Sequence, residues 1–141
     1  MIVLDTNVIS ELMKTTPAAP VLSWIIKAGP EGLYTTAVTH AEIMMGVAIM
    51  PDGERRREIT SAASEVLIRT FDGYTLPFDT PAASHYGDII AVSRRQGRTI
   101  GAFDAMILGI ARVHGASVAT RNVKHFADFG VPVRNPWNDI T

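Results

Sequence analysis

Short β-rich runs alternate with longer stretches of helical periodicity along the whole chain, and this alternation limits the fold more than any other feature. The predicted strands are Ile2 to Leu4, Leu33 to Thr35, Tyr74 to Leu76, Ser117 to Thr120 and Val131 to Val133. Strands that alternate with helices are typical of a parallel sheet covered by helices on both faces. The sequence therefore predicts one α/β domain over residues 1–141.

The spacing of apolar residues predicts where the helices begin. One helix follows Asp5 directly, another begins near Thr39, and a third covers Glu54 to Phe71. A core helix carries Phe103, Met106, Ile107, Ile110 and Val113 on one face. Asp104 therefore lies at or just inside the start of that core helix.

The composition narrows the classes of function. Of 141 residues, 47% are hydrophobic and 19% are charged, which is the balance of a packed protein. Because cysteine is absent, thiolate nucleophiles and iron–sulfur clusters are excluded, and we expect a cytoplasmic protein. We expect no signal peptide, because the opening MIVLDTNVIS lacks a basic region and a long apolar stretch, and no membrane span, because no apolar run is long enough. The net charge of −1 means that any attraction to nucleic acid must be local.

Three acids are predicted to meet at one edge of the sheet. Asp5 closes the first strand, Glu42 lies in the first turn of a helix that follows a strand, and Asp104 opens the core helix. In parallel α/β sheets, the carboxyl ends of the strands and the amino ends of the following helices gather at the edge where ligands bind. The three carboxylates can therefore meet in space although they are far apart in sequence.

Clustered carboxylates repel one another unless a cation or protons offset their charge. Mg²⁺ and Mn²⁺ are the natural partners because these hard ions take carboxylate oxygens and retain several waters. Such an ion can lower the pKa of a water and offset charge that develops on a phosphate. The pattern therefore predicts metal-dependent hydrolysis of phosphodiester bonds.

Each acid also has a structural explanation. Asp5 is a good N-cap for the following helix, and Thr39 with Glu42 forms a T-x-x-E capping box. Asp104 is a favourable acid for the first turn of a helix. A capping role and a metal-binding role are compatible, so both interpretations stay open for all three residues.

Five ordered segments resemble the PIN-domain family, in particular the VapC-type toxin ribonucleases of the Fit or plasmid-stability subgroup. The segments are VLDTNVISE, TTAVTHAEIMMGV, QGRTIGAFDAMILGIA, ASVATRNVKHF and NPW. This resemblance spans nearly the entire chain. It implies a single-domain α/β/α sandwich, a homodimer, Mg²⁺ or Mn²⁺ in an acidic pocket, and RNA as the substrate. It also implies a partner, a small DNA-binding antitoxin whose tail occupies a groove of the toxin.

The resemblance also implies roles for individual residues. Asp5, Glu42 and Asp104 match the acidic positions of the family one for one. The polar positions around the metal are matched by Thr6, Asn7 and Thr120.

The sequence departs from the family at two positions. Asn122 stands where the family commonly has a fourth acid, and His125 stands where many relatives have Asp before Phe126. Asn122 can still offer an amide oxygen to a metal, but it contributes no charge. The departure leaves open whether one or two metals bind, and His125 is interpreted as a structural or solvated residue.

Basic and aromatic side chains offer further candidates. Arg121 follows the strand that ends at the site and could contact a phosphate of RNA, as could Arg98. The Arg55 to Arg57 run is interpreted as a solvated helix face. Aromatic residues such as Trp24 and Trp137 are interpreted as packing groups of the core or of a dimer.

Other functions remain as competing hypotheses. A catalytically silent binding module would keep the fold and the partner surface but lack full metal affinity. A phosphoacceptor receiver domain needs adjacent acids after the first strand, where this chain has Asp5, Thr6 and Asn7. Such a domain also needs a lysine on a late strand, and Lys124 is not in that position. A phosphatase with an aspartyl nucleophile needs D-x-D, which D-T-N does not provide.

Overall fold

A five-stranded parallel sheet forms the centre of the molecule. The computed structural model describes residues 1–139, so the end of the predicted domain at residue 141 lies outside the described residues. The strands are β1 (Ile2–Leu4), β2 (Leu33–Thr36), β3 (Thr75–Leu76), β4 (Ser117–Ala119) and β5 (Val133–Arg134). Their spatial order is β3-β2-β1-β4-β5, and every neighbouring pair is parallel.

Helices connect the strands and cover the sheet. They are α1 (Thr6–Leu12), α2 (Ala19–Ala28), α3 (Ala37–Ala48), α4 (Glu54–Ser64), α5 (Thr80–Arg95), α6 (Ala102–His114) and α7 (Val123–Phe126). A short 3₁₀ turn covers Gly29–Glu31 and a π-helical segment covers Glu65–Thr70. Within residues 1–139, no helix has both the length and the apolar content to cross a membrane.

The sheet is buried on both faces, as the uninterrupted apolar sequence of β1 predicts. Val3 belongs to one hydrophobic cluster, whereas its neighbours Ile2 and Leu4 belong to a second. This division follows from the two-residue period of a strand, which directs successive side chains to opposite faces. The first cluster includes residues of α5 and α6, and the second includes residues of α1 and α2. The predicted α/β sandwich with helices on both faces is therefore confirmed.

Several predicted boundaries are wrong, and each difference has a local cause. Helix α3 begins at Ala37 rather than near Thr39, because the Thr36 hydroxyl caps it by accepting a hydrogen bond from the Thr39 amide at 3.0 Å. The predicted Thr39 capping box is therefore absent, and Glu42 lies in the second turn of α3 instead of the first. The helix predicted to reach Phe71 leaves α-helical geometry after Ser64.

The last predicted strand is shifted along the chain. Strand β5 covers Val133–Arg134 rather than Val131 to Val133. Pro132 lies just before the strand and has no N–H, but its carbonyl oxygen accepts a hydrogen bond from the Val118 amide at 2.9 Å. The other predicted strands agree with the structure within one residue.

The path of the chain creates a crevice next to β1. From β1 the chain moves outward through β2 to β3, and it then returns to the other side of β1 to form β4 and β5. The direction of winding therefore reverses between β1 and β4. In open α/β sheets, ligands bind at the carboxyl end of the strands at such a switch point, and Asp5 and Thr120 follow directly on these two strands.

Candidate functional site

Asp5 lies at the switch point and is almost completely buried, with 3% of its surface exposed. Its Oδ1 accepts a hydrogen bond from the Val8 amide at 3.1 Å, so Asp5 caps α1. Its Oδ2 accepts a hydrogen bond from the Thr120 hydroxyl at 2.5 Å. The capping role predicted for Asp5 is therefore confirmed. Each oxygen accepts one hydrogen bond, and a carboxylate has about four lone-pair sites, so capping leaves acceptor sites for a further ligand.

Glu42 reaches the same edge from α3. Its Oε1 accepts a hydrogen bond from the Thr6 hydroxyl at 2.7 Å. The Thr6 hydroxyl also lies 3.1 Å from the Thr39 hydroxyl. Because Thr6 begins α1 and Thr39 lies in α3, these contacts fix the Glu42 side chain relative to the helix that Asp5 caps.

Asp104 lies in the first turn of α6, as predicted. The N-cap of this helix is Gly101, which has no side chain to form a capping hydrogen bond. Asp104 is half-buried. A carboxylate at this position interacts favourably with the positive end of the helix dipole.

Asp104 acts electrostatically on both of the other acids. The pKa of Asp5 is raised to about 6; burial is the largest cause and the negative charge of Asp104 adds a smaller increase, whereas the hydrogen bonds from Thr120 and Val8 lower it. Burial and then the charge of Asp104 raise the pKa of Glu42, against the hydrogen bond from Thr6. Burial also raises the pKa of Asp104, whereas the nearby His125 lowers it. Asp104 is therefore the shared repulsive neighbour of the other two acids.

The acids form an open cluster rather than a closed cage. Within residues 1–139, no three His, Cys, Asp or Glu side chains are arranged closely enough to enclose a metal ion. The available donors are carboxylate and hydroxyl oxygens, which are the donors that Mg²⁺ and Mn²⁺ prefer. Because Mg²⁺ commonly retains several waters and uses only one or two carboxylates, the donor chemistry of this open cluster fits such an ion.

The remaining polar candidates surround the acids in different ways. Thr6 and Thr120 hold the carboxylates through their hydroxyl groups, and the backbone N–H of Asn122 donates to the Thr120 hydroxyl at 3.0 Å. The side chains of Asn7 and Asn122 are exposed and help to line a cavity of about 270 Å³. Arg121 lines the same cavity, and its guanidinium lies 4.9 Å from the centre of a Trp137 ring.

Arg98 has contacts that the sequence did not predict. Its guanidinium donates hydrogen bonds to the carbonyl oxygens of Ala127 at 2.9 Å and Lys124 at 2.6 Å. A phosphate contact by Arg98 would have to compete with these bonds. The sequence analysis also missed Lys124 as a neighbour of the acids, although its position just after β4 places it at the carboxyl edge of the sheet.

Cavity volume alone does not identify the site. A cavity of about 460 Å³ lies between α1 and α4 and contains none of the three acids. A cavity of about 420 Å³ contains Asp104 together with Lys124 and His125. The position of the three acids therefore defines the site, and the cavity between α1 and α4 is not part of it.

The fold and the acidic cluster together define the class of protein: a parallel α/β sandwich with convergent carboxylates at its switch point. The family model described as PIN domain matches residues 2–131. This chain belongs to the PIN-domain family.

Comparison with individual proteins supports the same assignment. The chain is 42% identical to VapC ribonuclease Y4jK of Sinorhizobium fredii over 137 residues, which cover 97% of this chain and 98% of the relative. It is 37% identical to toxin FitB of Neisseria gonorrhoeae, with 99% and 100% of the two chains covered. A solved structure of FitAB bound to an IR36 DNA fragment matches with a TM-score of 0.87 and 35% identity, and the match covers 100% of this chain and 99% of that one.

The stability of the metal-free protein is expected to fall as the pH rises from about 4 to about 7. The folded state holds a proton on Asp5 up to a pKa of about 6, whereas the ordinary value is 3.8, so the folded state binds more protons between these values. The loss in the free energy of unfolding is on the order of 3 kcal/mol. Urea unfolding in the presence of a chelator, at several pH values, measures it.

The matched variant for this prediction is Asp5→Asn. The amide does not ionise, so the variant should lose most of this pH dependence and should be more stable than the wild type at neutral pH. If wild type and variant show the same dependence on pH, burial of the Asp5 charge is not the cause.

Proposed function

We propose that this chain is an endoribonuclease that depends on Mg²⁺ or Mn²⁺ and acts as the toxin of a type II toxin–antitoxin pair. The observation that carries the proposal is the convergence of Asp5, Glu42 and Asp104 at the switch point, where Asp104 raises the pKa of both other acids. Such a cluster is unfavourable in the absence of a cation. Two relatives, named as a ribonuclease and as a toxin, support the RNA-directed activity.

The side chains of this site have distinct tasks in the proposed reaction. Asp5, Glu42 and Asp104 would hold the ion. When bound, the ion would supply a water of lowered pKa and offset negative charge at the scissile phosphate. Thr120 and Thr6 orient the carboxylates of Asp5 and Glu42 through the hydrogen bonds described above. This orientation reduces the movement needed when the ion and the RNA bind.

The proposed partner is an antitoxin that binds DNA. The similar FitB is named a toxin, and the similar FitAB complex was solved on a DNA fragment. A cognate protein of the same kind would inhibit this chain by covering its acidic site. The encounter with RNA would take place in the cytoplasm.

The test of this function is cleavage of RNA by the purified protein. Single-stranded and structured RNA are each incubated with Mg²⁺ or Mn²⁺, and parallel samples contain an excess of chelator. We expect phosphodiester cleavage that requires the divalent ion. Equal cleavage in the chelator would contradict the metal-dependent mechanism.

We also propose that the chain forms a homodimer. Several large apolar side chains are exposed, including Met45 at 51% and Ile49 at 78%. Met45 lies on α3 and Ile49 is its C-cap residue, so the two are one helical turn apart. Exposed apolar patches are typical of surfaces that another protein covers. Light scattering at micromolar concentration should therefore give twice the 15.3 kDa mass of one chain. The mass of a single chain would contradict the dimer.

A silent binding module is the second candidate function, and two observations favour it. Asn122 stands where the family resemblance implies a fourth acid, and within residues 1–139 no three His, Cys, Asp or Glu side chains form a group that could hold a metal ion. Under this hypothesis the protein acts only through its complex with a partner. The cleavage assay separates the two candidates, because a silent module binds RNA or a partner but leaves the RNA intact with every metal.

A further inference from the structure

A cavity of about 420 Å³ is lined in part by Asp104, whereas Asp5, Glu42 and Asn122 are not among its lining residues. Besides Asp104, the cavity is lined by residues 98–101, which lead into α6, and by a wall that Lys124 and His125 of α7 form. Its volume falls within the range of roughly 300–1,000 Å³ that is typical of small-ligand sites. The cavity is therefore large enough for a ligand group that touches an acid of the candidate site.

Arg98 holds the wall that carries Lys124 and His125. Besides its bonds to the carbonyl oxygens of Lys124 and Ala127, its guanidinium lies 3.4 Å from the carbonyl oxygen of His125. The flat guanidinium also lies 4.7 Å from the centre of the Phe129 ring, and that ring is buried. Because a guanidinium donates in a fixed planar fork, these contacts fix the backbone of the wall in a way that a lysine cannot reproduce.

The side chain of Lys124 is differently placed from that of Arg98. Lys124 is exposed, and its ammonium takes part in no ion pair within residues 1–139. The guanidinium of Arg98, in contrast, is occupied by backbone carbonyl oxygens. A lysine beside a cavity is well suited to contact a phosphate as a point charge.

We propose that this cavity is a subsite for one nucleotide of single-stranded RNA, in which Lys124 contacts a phosphate and Arg98 is a positioning residue that holds the wall. This inference rests on the proposed ribonuclease function. It assigns Arg98 a structural task at the subsite in place of the direct phosphate contact predicted from the sequence. Lys124, which the sequence analysis set aside, becomes the contact.

The experiment measures the binding of a fluorescein-labelled single-stranded RNA at several salt concentrations in the presence of Mg²⁺. The protein carries Asp5→Asn so that the RNA stays intact, which a gel verifies. Each phosphate contact on a single strand contributes about 0.7 to the slope of log K against log salt concentration. Lys124→Ala should weaken binding by about three- to tenfold and reduce the slope by about 0.7. The charge-matched control Lys27→Ala, in α2, should change neither quantity.

The role of Arg98 is tested by a double-mutant cycle. If Arg98 acts through the wall, Arg98→Gln as a single variant should weaken RNA binding. The same substitution should weaken binding little further in protein that already carries Lys124→Ala. The double variant should therefore lose only about 0.7 from the slope of log K against log salt concentration. Arg98→Lys, which keeps the charge, should not restore binding. Arg112→Lys is the matched control, because Arg112 donates to the Phe129 carbonyl oxygen and lies about 12 Å along α6 from Asp104.

The outcomes separate the subsite from the ribonuclease function. If Lys124→Ala leaves the salt-dependence slope unchanged, the subsite proposal is wrong. If the effects of Lys124→Ala and the Arg98 substitution on RNA binding add, and the double variant loses about 1.4 from the slope, Arg98 contacts a phosphate itself and is not a positioning residue. If the protein binds no RNA in any variant and the wild type cleaves none, the proposed function itself fails. RNA cleavage by the wild type with unchanged binding in Lys124→Ala would overturn the subsite alone.

Discussion

Replacing Asp104 with Asn is expected to abolish RNA cleavage, with a loss of at least about a hundredfold, while the fold stays intact. Residues that only orient metal ligands already contribute about 10- to 100-fold to metal affinity or activity, so a residue that itself holds the ion should contribute more. The variant has nearly the same shape as the wild type but removes the charge that acts on both Asp5 and Glu42. Initial rates of RNA cleavage in Mg²⁺ and in Mn²⁺ measure the effect.

The same experiment needs a control for folding and for charge. Circular dichroism and the thermal midpoint should show that Asp104→Asn remains folded, since it relieves repulsion among the acids. Asp88→Asn is the matched charge control, because Asp88 is exposed on α5 and outside the candidate site. Retained cleavage in the single variants of Asp5, Glu42 and Asp104 would refute the assignment of the site.

Gly109→Ala is expected to lower the free energy of unfolding by about 3 kcal/mol or more, which is a large part of the stability of a small domain. Helices α5 and α6 pack against each other at Gly109. An added Cβ would lie 2.6 Å from the backbone oxygen of Ala82 and 3.3 Å from the backbone nitrogen of Tyr86. Because these are backbone atoms, the helices would have to move apart. Urea unfolding monitored by circular dichroism measures the change.

Gly87→Ala provides the matched control within α5. A Cβ at Gly87 would meet nothing within 4 Å, and the position is exposed. Alanine is preferred over glycine inside a helix, so this variant should gain about 0.5–1 kcal/mol. Equal effects of the two substitutions would show that close contact between α5 and α6 is not what requires glycine at position 109.

The elements of this fold could be predicted from the sequence because their patterns are local. The apolar residues of α6 recur at helical spacing, and β1 is short and entirely apolar. The start of a helix was less predictable where two residues could each serve as its N-cap. Thr36 and Thr39 are both good N-caps, and only the end of β2 decides that Thr36 caps α3. A T-x-x-E pattern therefore misplaced the first turn of this helix.

The site was predictable in its acids but not in its supporting contacts. Asp5, Glu42 and Asp104 each follow from their position at the end of a strand or near the start of a helix. The hydrogen bond from Thr6 to Glu42 joins residues 36 positions apart and depends on how α1 packs against α3. The bonds of Arg98 to α7 and its following turn likewise depend on tertiary packing. No local sequence pattern specifies such contacts.

An anomalous difference map from crystals soaked in Mn²⁺ shows directly whether Asp5, Glu42 and Asp104 hold a divalent ion. We expect a peak at the switch point, within about 2.1 Å of carboxylate oxygens from at least one of these residues, with waters completing the coordination. The peak should be absent from crystals of Asp104→Asn soaked in the same way. A map of the wild type with no peak among the three acids, or with Mn²⁺ bound only elsewhere, would show that these acids are not the metal site.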